Sequence, residues 1–180
     1  MNKYDSLRQV LSGLDDPAHT LVYTNGDQLR TVQTILDDAG VRQHKVTEAE
    51  GMEQRRALLD QFARRDLHAL VGIDCLDEGV DVKPANTAIL MSNSGNEREF
   101  IQRRGRVLRQ HDTKARASVY DMVVIPPRGL LDDLLPSHQR LLERELDRVE
   151  AFATSAENGD EARQTVKAVR DALDASQDES

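Results

Sequence analysis

Three residues beyond the middle of the chain have the types and spacing to handle a phosphoryl group. In Gln102-Arg103-Arg104-Gly105-Arg106-Val107-Leu108-Arg109, helical winding puts Gln102, Arg106 and Arg109 at i, i+4 and i+7, on one stripe. Two guanidiniums projecting one way from a rigid element can grip phosphate oxygens in bidentate fashion. They can also stabilise the charge that develops on a phosphoryl group in transfer. Ile101 and Leu108 lie on a neighbouring stripe that can be buried. Gly105, between them, costs a helix about 1 kcal/mol relative to alanine, and suits close approach of the backbone to another group. The same spacing fits an exposed arginine-rich helix making i,i+4 pairs.

A second constellation lies upstream, where the buried-type run Leu70-Val71-Gly72-Ile73 enters the acidic loop Asp74-Cys75-Leu76-Asp77-Glu78-Gly79-Val80-Asp81-Val82. Gly79 permits positive φ or close backbone approach. Asp81 could accept hydrogen bonds from a pair of ribose hydroxyls. Asp77-Glu78 is not read as a metal pair, because no phosphate loop precedes it to position a nucleotide, and no metal site is expected. Cys75, the only cysteine, leaves no internal disulfide and reads as a small buried apolar side chain.

The charge is unevenly spread. The 180 residues carry a net −8, which argues against a polyanionic partner. Yet between Arg98 and Arg116 seven basic residues face two acidic ones, so that segment carries +5 and the remainder −13. A basic island in an acidic chain suggests a local anion site; a solvated charged helix gives the same count. Of 24 basic residues only five are lysine (Lys3, Lys45, Lys83, Lys114, Lys167), and aspartates outnumber glutamates. That bias suggests a halophilic protein, although GC-rich codons also favour arginine. No hydrophobic stretch reaches the roughly 18 residues of a membrane span, and the first ten residues lack the apolar run of a leader. A cytoplasmic protein with no membrane partner is expected.

Those residues must be held by the elements around them. Periodicity predicts a helix over Tyr4–Leu14 with Leu7, Val10, Leu11 and Leu14 on one stripe. Strands follow at Thr20–Thr24, Val41–Thr47, His68–Ile73, Thr87–Ser92 and Ala117–Ile125. Between them come a turn at Asn25-Gly26-Asp27 with Asp27 as cap, a helix from Leu29 to a C-cap at Gly40, a helix over Gly51–Arg65, and one over Glu97–Arg109. Strand and helix alternate every 25–40 residues or so, which predicts an α/β fold with a parallel sheet and helices on both faces. Ligands of such sheets gather beyond the carboxyl ends of the strands. After Pro126-Pro127 only helices are expected, over Leu130–Phe152 and Glu161–Leu173, so that residues 1–127 form one domain and 128–180 a helical extension.

With these motifs in hand, Leu21 to Arg109 resembles the C-terminal RecA-like domain of superfamily-2 helicases of the DEAD/DEAH type, nearest the branch of XPB-type helicases and restriction-enzyme motor subunits. LVYTNGDQ resembles motif IV, GIDCLDEGVDV motif V and QRRGRVLR motif VI, while Lys45–Phe62 resembles the strand-end and helix block that follows motif IV. The resemblance implies that Arg106 and Arg109 are arginine fingers reaching the γ-phosphate of ATP, with Gln102 hydrogen-bonding across the same cleft. It implies that Gly79 and Asp81 meet the nucleotide ribose. It further implies that Thr24, Asn25, Gly26, Thr47, Arg55 and Asp74 form a nucleic-acid-binding surface that meets the phosphodiester backbone. Ile73 departs from the pattern, since many relatives have a threonine there.

What is missing bears equally on the reading. The chain contains no Gly-Lys pair, hence no phosphate loop, and no acidic magnesium motif at a strand end. ATP is therefore expected to be shared with an N-terminal RecA-like lobe, which would also hold Mg2+. The chain by itself would be inactive as an ATP hydrolase, being a fragment of a longer helicase or one half of a split gene. The substrate strand is expected to be DNA, single- or double-stranded, with RNA the other candidate. The competing function is a non-catalytic RecA-like module that binds protein or nucleic acid.

Overall fold

A computed structural model describes residues 2–72, 85–91, 116–127, 130 and 134–178. The expected helix over Glu97–Arg109 lies outside these residues, with Gln102, Arg106 and Arg109. So do Ile73, Asp74, Cys75, Gly79 and Asp81 of the acidic loop. The chain divides into two compact units, Met1–Met122 and Val123–Ser180.

The first unit is built on five four-residue strands: β1 (Thr20–Tyr23), β2 (Gln43–Val46), β3 (Ala69–Gly72), β4 (Thr87–Leu90) and β5 (Ser118–Asp121). All pair in parallel, in the order β2-β3-β1-β4-β5. The α/β expectation is met. Central β1 is buried on both faces, as are β3 and β4, which is why these three read as continuous apolar runs. In register, Val22 lies between Val71 and Ile89.

Three helices are described here: α1 (Lys3–Gly13), α2 (Gly26–Asp38) and α3 (Met52–Ala63). From α1 and α2, Leu7, Val32, Ile35 and Leu36 pack with Val22, Val71, Ile89 and Met91 of one sheet face. The crossover through α2 moves two places outward, from β1 to β2, and the one through α3 moves back to β3. Right-handed crossovers running in opposite directions lie on opposite faces, so α3 covers the other side. Its Phe62 is fully buried and meets the His19 ring edge-on at 5.4 Å.

The local signals explain the boundaries. Asn2 caps α1 with a reciprocal box, its side chain accepting from the amides of Tyr4 and Asp5 while the Asp5 carboxylate accepts from the Asn2 amide. The expected cap of α2 is corrected by two residues: Asn25, not Asp27, accepts from the Gln28 amide at 2.9 Å, and Asp27 lies within the first turn. The Thr24 amide still belongs to the ladder, donating to Gly72 O at 3.0 Å, so Asn25 is the first residue free to leave it. Gly40 takes positive φ, +71°, just past α2. Beyond α3, Arg65 takes φ +66°, and the Asp66 amide reaches back to Gln61 O at 2.9 Å. Arg65 thus fills a place usually given to glycine, and its guanidinium is tied to Asp16.

β5 is shorter than the expected Ala117–Ile125. Its partner β4 ends at Leu90, opposite Asp121; the Met122 amide makes one more bond, to Leu90 O at 3.0 Å, and Val124 and Ile125 are exposed.

The second unit is a helical hairpin of α4 (Pro136–Ala153) and α5 (Gly159–Asp178). The helix starts at Pro136 rather than Leu130, because proline at the first helical position already has the required φ and needs no amide partner. Leu142, Leu146, Val166 and Leu173 form its seam. Arg170 binds Asp147 at 2.6 Å and Glu150 at 2.9 Å. At the turn, a Cβ on Gly159 would lie 2.0 Å from Ala153 O, so only glycine fits.

Two outcomes test this packing. Phe62→Ala should destabilise the first unit by about 3–5 kcal/mol in urea unfolding. Gly159→Ala should cost the hairpin about 1–3 kcal/mol, read as loss of amide-exchange protection confined to α4 and α5.

Candidate nucleic-acid interface

Because all five strands are parallel, their carboxyl ends share one edge of the sheet. Thr24, Asn25 and Gly26 leave β1 there, and Thr47 leaves β2. With β3 between them, the two exits stand two strand spacings apart, about 10 Å. The α1 helix also reaches this edge: Lys3 Nζ donates to Met91 O, just past β4, at 3.1 Å.

The hydrogen bonds at the β1 exit decide what it can offer. Thr24 is buried and turned inward: its amide goes to Gly72 O, and its hydroxyl lies 3.3 Å from Asn25 O and 3.2 Å from Gln28 Oε1. Asn25 spends its side-chain oxygen on the cap of α2. The amides of Gly26 and Asp27 open the helix without intrahelical acceptors, at the positive end of its dipole, and both residues are exposed. The outward donors at this exit are therefore these backbone amides and the side-chain nitrogen of exposed Asn25, and Asp27 adds a negative charge in the same turn.

At the β2 exit the pattern is different. The amide and hydroxyl of Thr47 both donate to the same carboxylate oxygen of Glu50, the hydroxyl at 2.7 Å. The Glu50 amide returns a bond to Thr47 O at 3.4 Å. Arg55 Nη2 donates to that carbonyl at 2.9 Å, while Arg55 Nε is buried with no hydrogen-bond partner among the described residues. Glu50 is 8% exposed. Burial pushes its carboxyl upward, but the hydroxyl and amide of Thr47, helped by its own amide and the Lys45 charge, hold it below the ordinary glutamate value.

The structure thus gathers Thr24, Asn25, Gly26, Thr47 and Arg55 on one edge. Sequence reasoning missed Glu50, although Thr47-x-x-Glu50 has the spacing of a capping box. It also missed Lys3.

The hairpin has its own concavity of about 350 Å³, lined by Gln139, Glu143, Asp147, Arg170, Leu173 and Asp174. Three carboxylates line it and Arg170 is already paired, so it does not suit an anion.

Against known proteins, residues 2–111 match the family model described as the helicase conserved C-terminal domain. The chain belongs to this family. It is 30% identical over 141 residues to the DNA 3'-5' translocase XPB2 of Sulfurisphaera tokodaii, covering 77% of this chain and 29% of that protein. It is 32% identical over 76 residues to Dicer-like protein 2 of Aspergillus terreus, covering 42% of this chain and 6% of that one. This helicase lobe therefore spans well under half the length of both curated relatives. Among solved structures, the C-terminal part of the Fun30 ATPase domain superposes with TM-score 0.65 at 15% identity, covering 96% of this chain and 54% of that one. The C-terminal domain of the DEAD-box protein Dbp5 gives 0.62 at 12% identity, covering 94% and 90%. These likenesses speak for a shared RecA-like fold.

The Glu50 geometry carries a pH signature. A carboxyl held low in the folded state adds stability above its unfolded value and loses it as pH falls through the folded one. Glu50→Gln should therefore be less stable than wild type by about 1–2 kcal/mol at neutral pH. That gap should close in acid, as read from urea midpoints across the carboxylate range; a gap independent of pH would show that Glu50 is not held as an ion.

Proposed function

We propose that this chain is the second motor lobe of an ATP-dependent nucleic-acid helicase or translocase, acting with an N-terminal RecA-like lobe. The observation that carries this reading is the helicase C-terminal match, which spans residues 2–111 and so includes every residue assigned to ATP or the strand below. In this reading Arg106 and Arg109 reach across the interlobe cleft to the terminal phosphate of ATP, and Gln102 hydrogen-bonds beside them. Gly79 and Asp81 meet the ribose. These donor types suit a nucleotide: guanidiniums match phosphate oxygens, and a carboxylate matches two hydroxyls. ATP would supply the free energy that closes and reopens the cleft, and Mg2+ would be held by the other lobe.

Strand contact falls to the carboxyl edge. The Gly26 and Asp27 amides, with Asn25, offer donors suited to phosphate oxygens. Thr24 supports that turn from below. Thr47, Arg55 and Asp74 complete the surface from β2, α3 and the loop after β3. Such contacts are insensitive to base sequence. DNA is favoured as the strand by the likeness to a DNA translocase. The segment from residue 128 onward is proposed as a helical extension to the motor lobe.

The test is ATP turnover. The chain alone should be silent. Joined to an N-terminal lobe carrying a phosphate loop, it should hydrolyse ATP with stimulation by single-stranded DNA. In that joined protein Arg106→Ala and Arg109→Ala should each lower kcat by about 10³-fold or more, with little change in ATP affinity. Unchanged kcat in both would remove the arginine-finger assignment. Silence of the joined protein, with strand binding intact, would move the function to a non-catalytic binding module.

A further inference from the structure

Thr47 has two hydrogen-bond donors, its amide and its hydroxyl. Both are taken by one oxygen of Glu50. A hydroxyl that donates inward has only lone pairs left, one of which accepts from the Ala49 amide at 3.3 Å, and lone pairs repel a phosphate. The Thr47 carbonyl is equally engaged, by Arg55 Nη2 and the Glu50 amide. As folded, then, the β2 exit has no Thr47 donor to give a phosphodiester. The group that takes those donors is itself an anionic oxygen, seated as a phosphate oxygen would be.

We propose that Glu50 is a built-in competitor of the strand: its carboxylate occupies the phosphate seat on Thr47 and must leave that seat when a phosphodiester enters. The inference rests on the strand-binding reading above and deepens it, because it makes the β2 exit a regulated contact. Glu50 lies in the turn of residues 48–50, between β2 and α3. Gly51, the N-cap of α3, uses no side chain to cap the helix. Among the described residues the Glu50 carboxylate bonds to Thr47 and to its own amide rather than to the amides of α3, so it can swing out with the turn. Once it leaves, the Thr47 amide and hydroxyl, Lys45 and Arg55 are the cationic and donor groups next to the vacated position. The device makes contact at β2 conditional, while the α2 amides at the β1 exit stay open. A strand would first dock at β1 and engage β2 only by displacing a carboxylate.

The experiment is fluorescence-anisotropy titration of the 180-residue chain with a labelled oligothymidylate at low salt. Glu50→Gln should bind about fivefold tighter than wild type. Glu48→Gln and Glu53→Gln, which remove the same charge from exposed neighbours, should gain less. Thr47→Val should abolish most of the Glu50→Gln gain. An independent readout in the unaltered chain is the Glu50 carboxyl carbon resonance, which should shift as strand is added. The proposal is overturned if Glu50→Gln binds equally or more weakly, if its gain matches that of Glu48→Gln, or if the Glu50 resonance stays fixed while the strand binds. If neither wild type nor any variant binds the oligonucleotide, the strand-binding reading itself falls and takes this inference with it.

Discussion

β1 is hydrogen-bonded on both edges and buried on both faces. Its four residues pair with β3 on one side and β4 on the other, and none of them meets solvent. Backbone groups there have nowhere else to bond, since an unpaired buried amide or carbonyl costs about as much as a lost hydrogen bond. The register is therefore fixed, because a slip by one residue would turn Val22 away from Val71 and Ile89 and misfit the side chains packed on both faces. Thr24 inherits that rigidity through its bond to Gly72 O. Asn25 then has one place to begin α2. The positions of the amides at the β1 exit follow from a strand four residues long.

The two exits solve the same problem in different ways. At β1 the backbone turns straight into a helix, and the unsatisfied amides face out. At β2 the chain passes through a short turn first, and a buried carboxylate satisfies the donors. β2 is an edge strand with mixed burial, so its end lacks the two-sided clamp that holds β1. A side-chain bond network substitutes for a missing neighbour, and such networks can be rearranged more easily than a ladder.

Much of this was legible beforehand. Runs such as TLVY and ALVG carry the apolar, β-branched signature of doubly buried strands, and their alternation with helical stripes implied the parallel sheet. Strand order was not legible, because nothing in a buried run says which neighbours flank it. The cap of α2 was misjudged because Asn25 and Asp27 are both good caps; the choice depended on how far the ladder continued past Tyr23, a tertiary fact. The expected start of α4 at Leu130 lies six residues before the proline that opens it. Thr24, Asn25, Gly26, Thr47 and Arg55 were named through resemblance, which gave their location but not their bonding. That Thr47 is occupied by Glu50 depends on the turn bringing residues three apart into contact. Composition does not reveal that.

The placement of β1 also sets an order of events during synthesis. Thr20 pairs with Ala69 on one edge and Thr87 on the other, so the first of these five strands to be made is completed only by strands made much later. Until residues 87–90 have left the ribosome, one apolar edge of the central strand has no native partner. Parallel pairing across such separations forms slowly, and an open strand edge invites pairing with other chains. A nascent chain stalled between β3 and β4 would thus present a buried-type apolar strand with half its hydrogen bonds unmade. For this lobe, chaperone demand should be greatest in that interval.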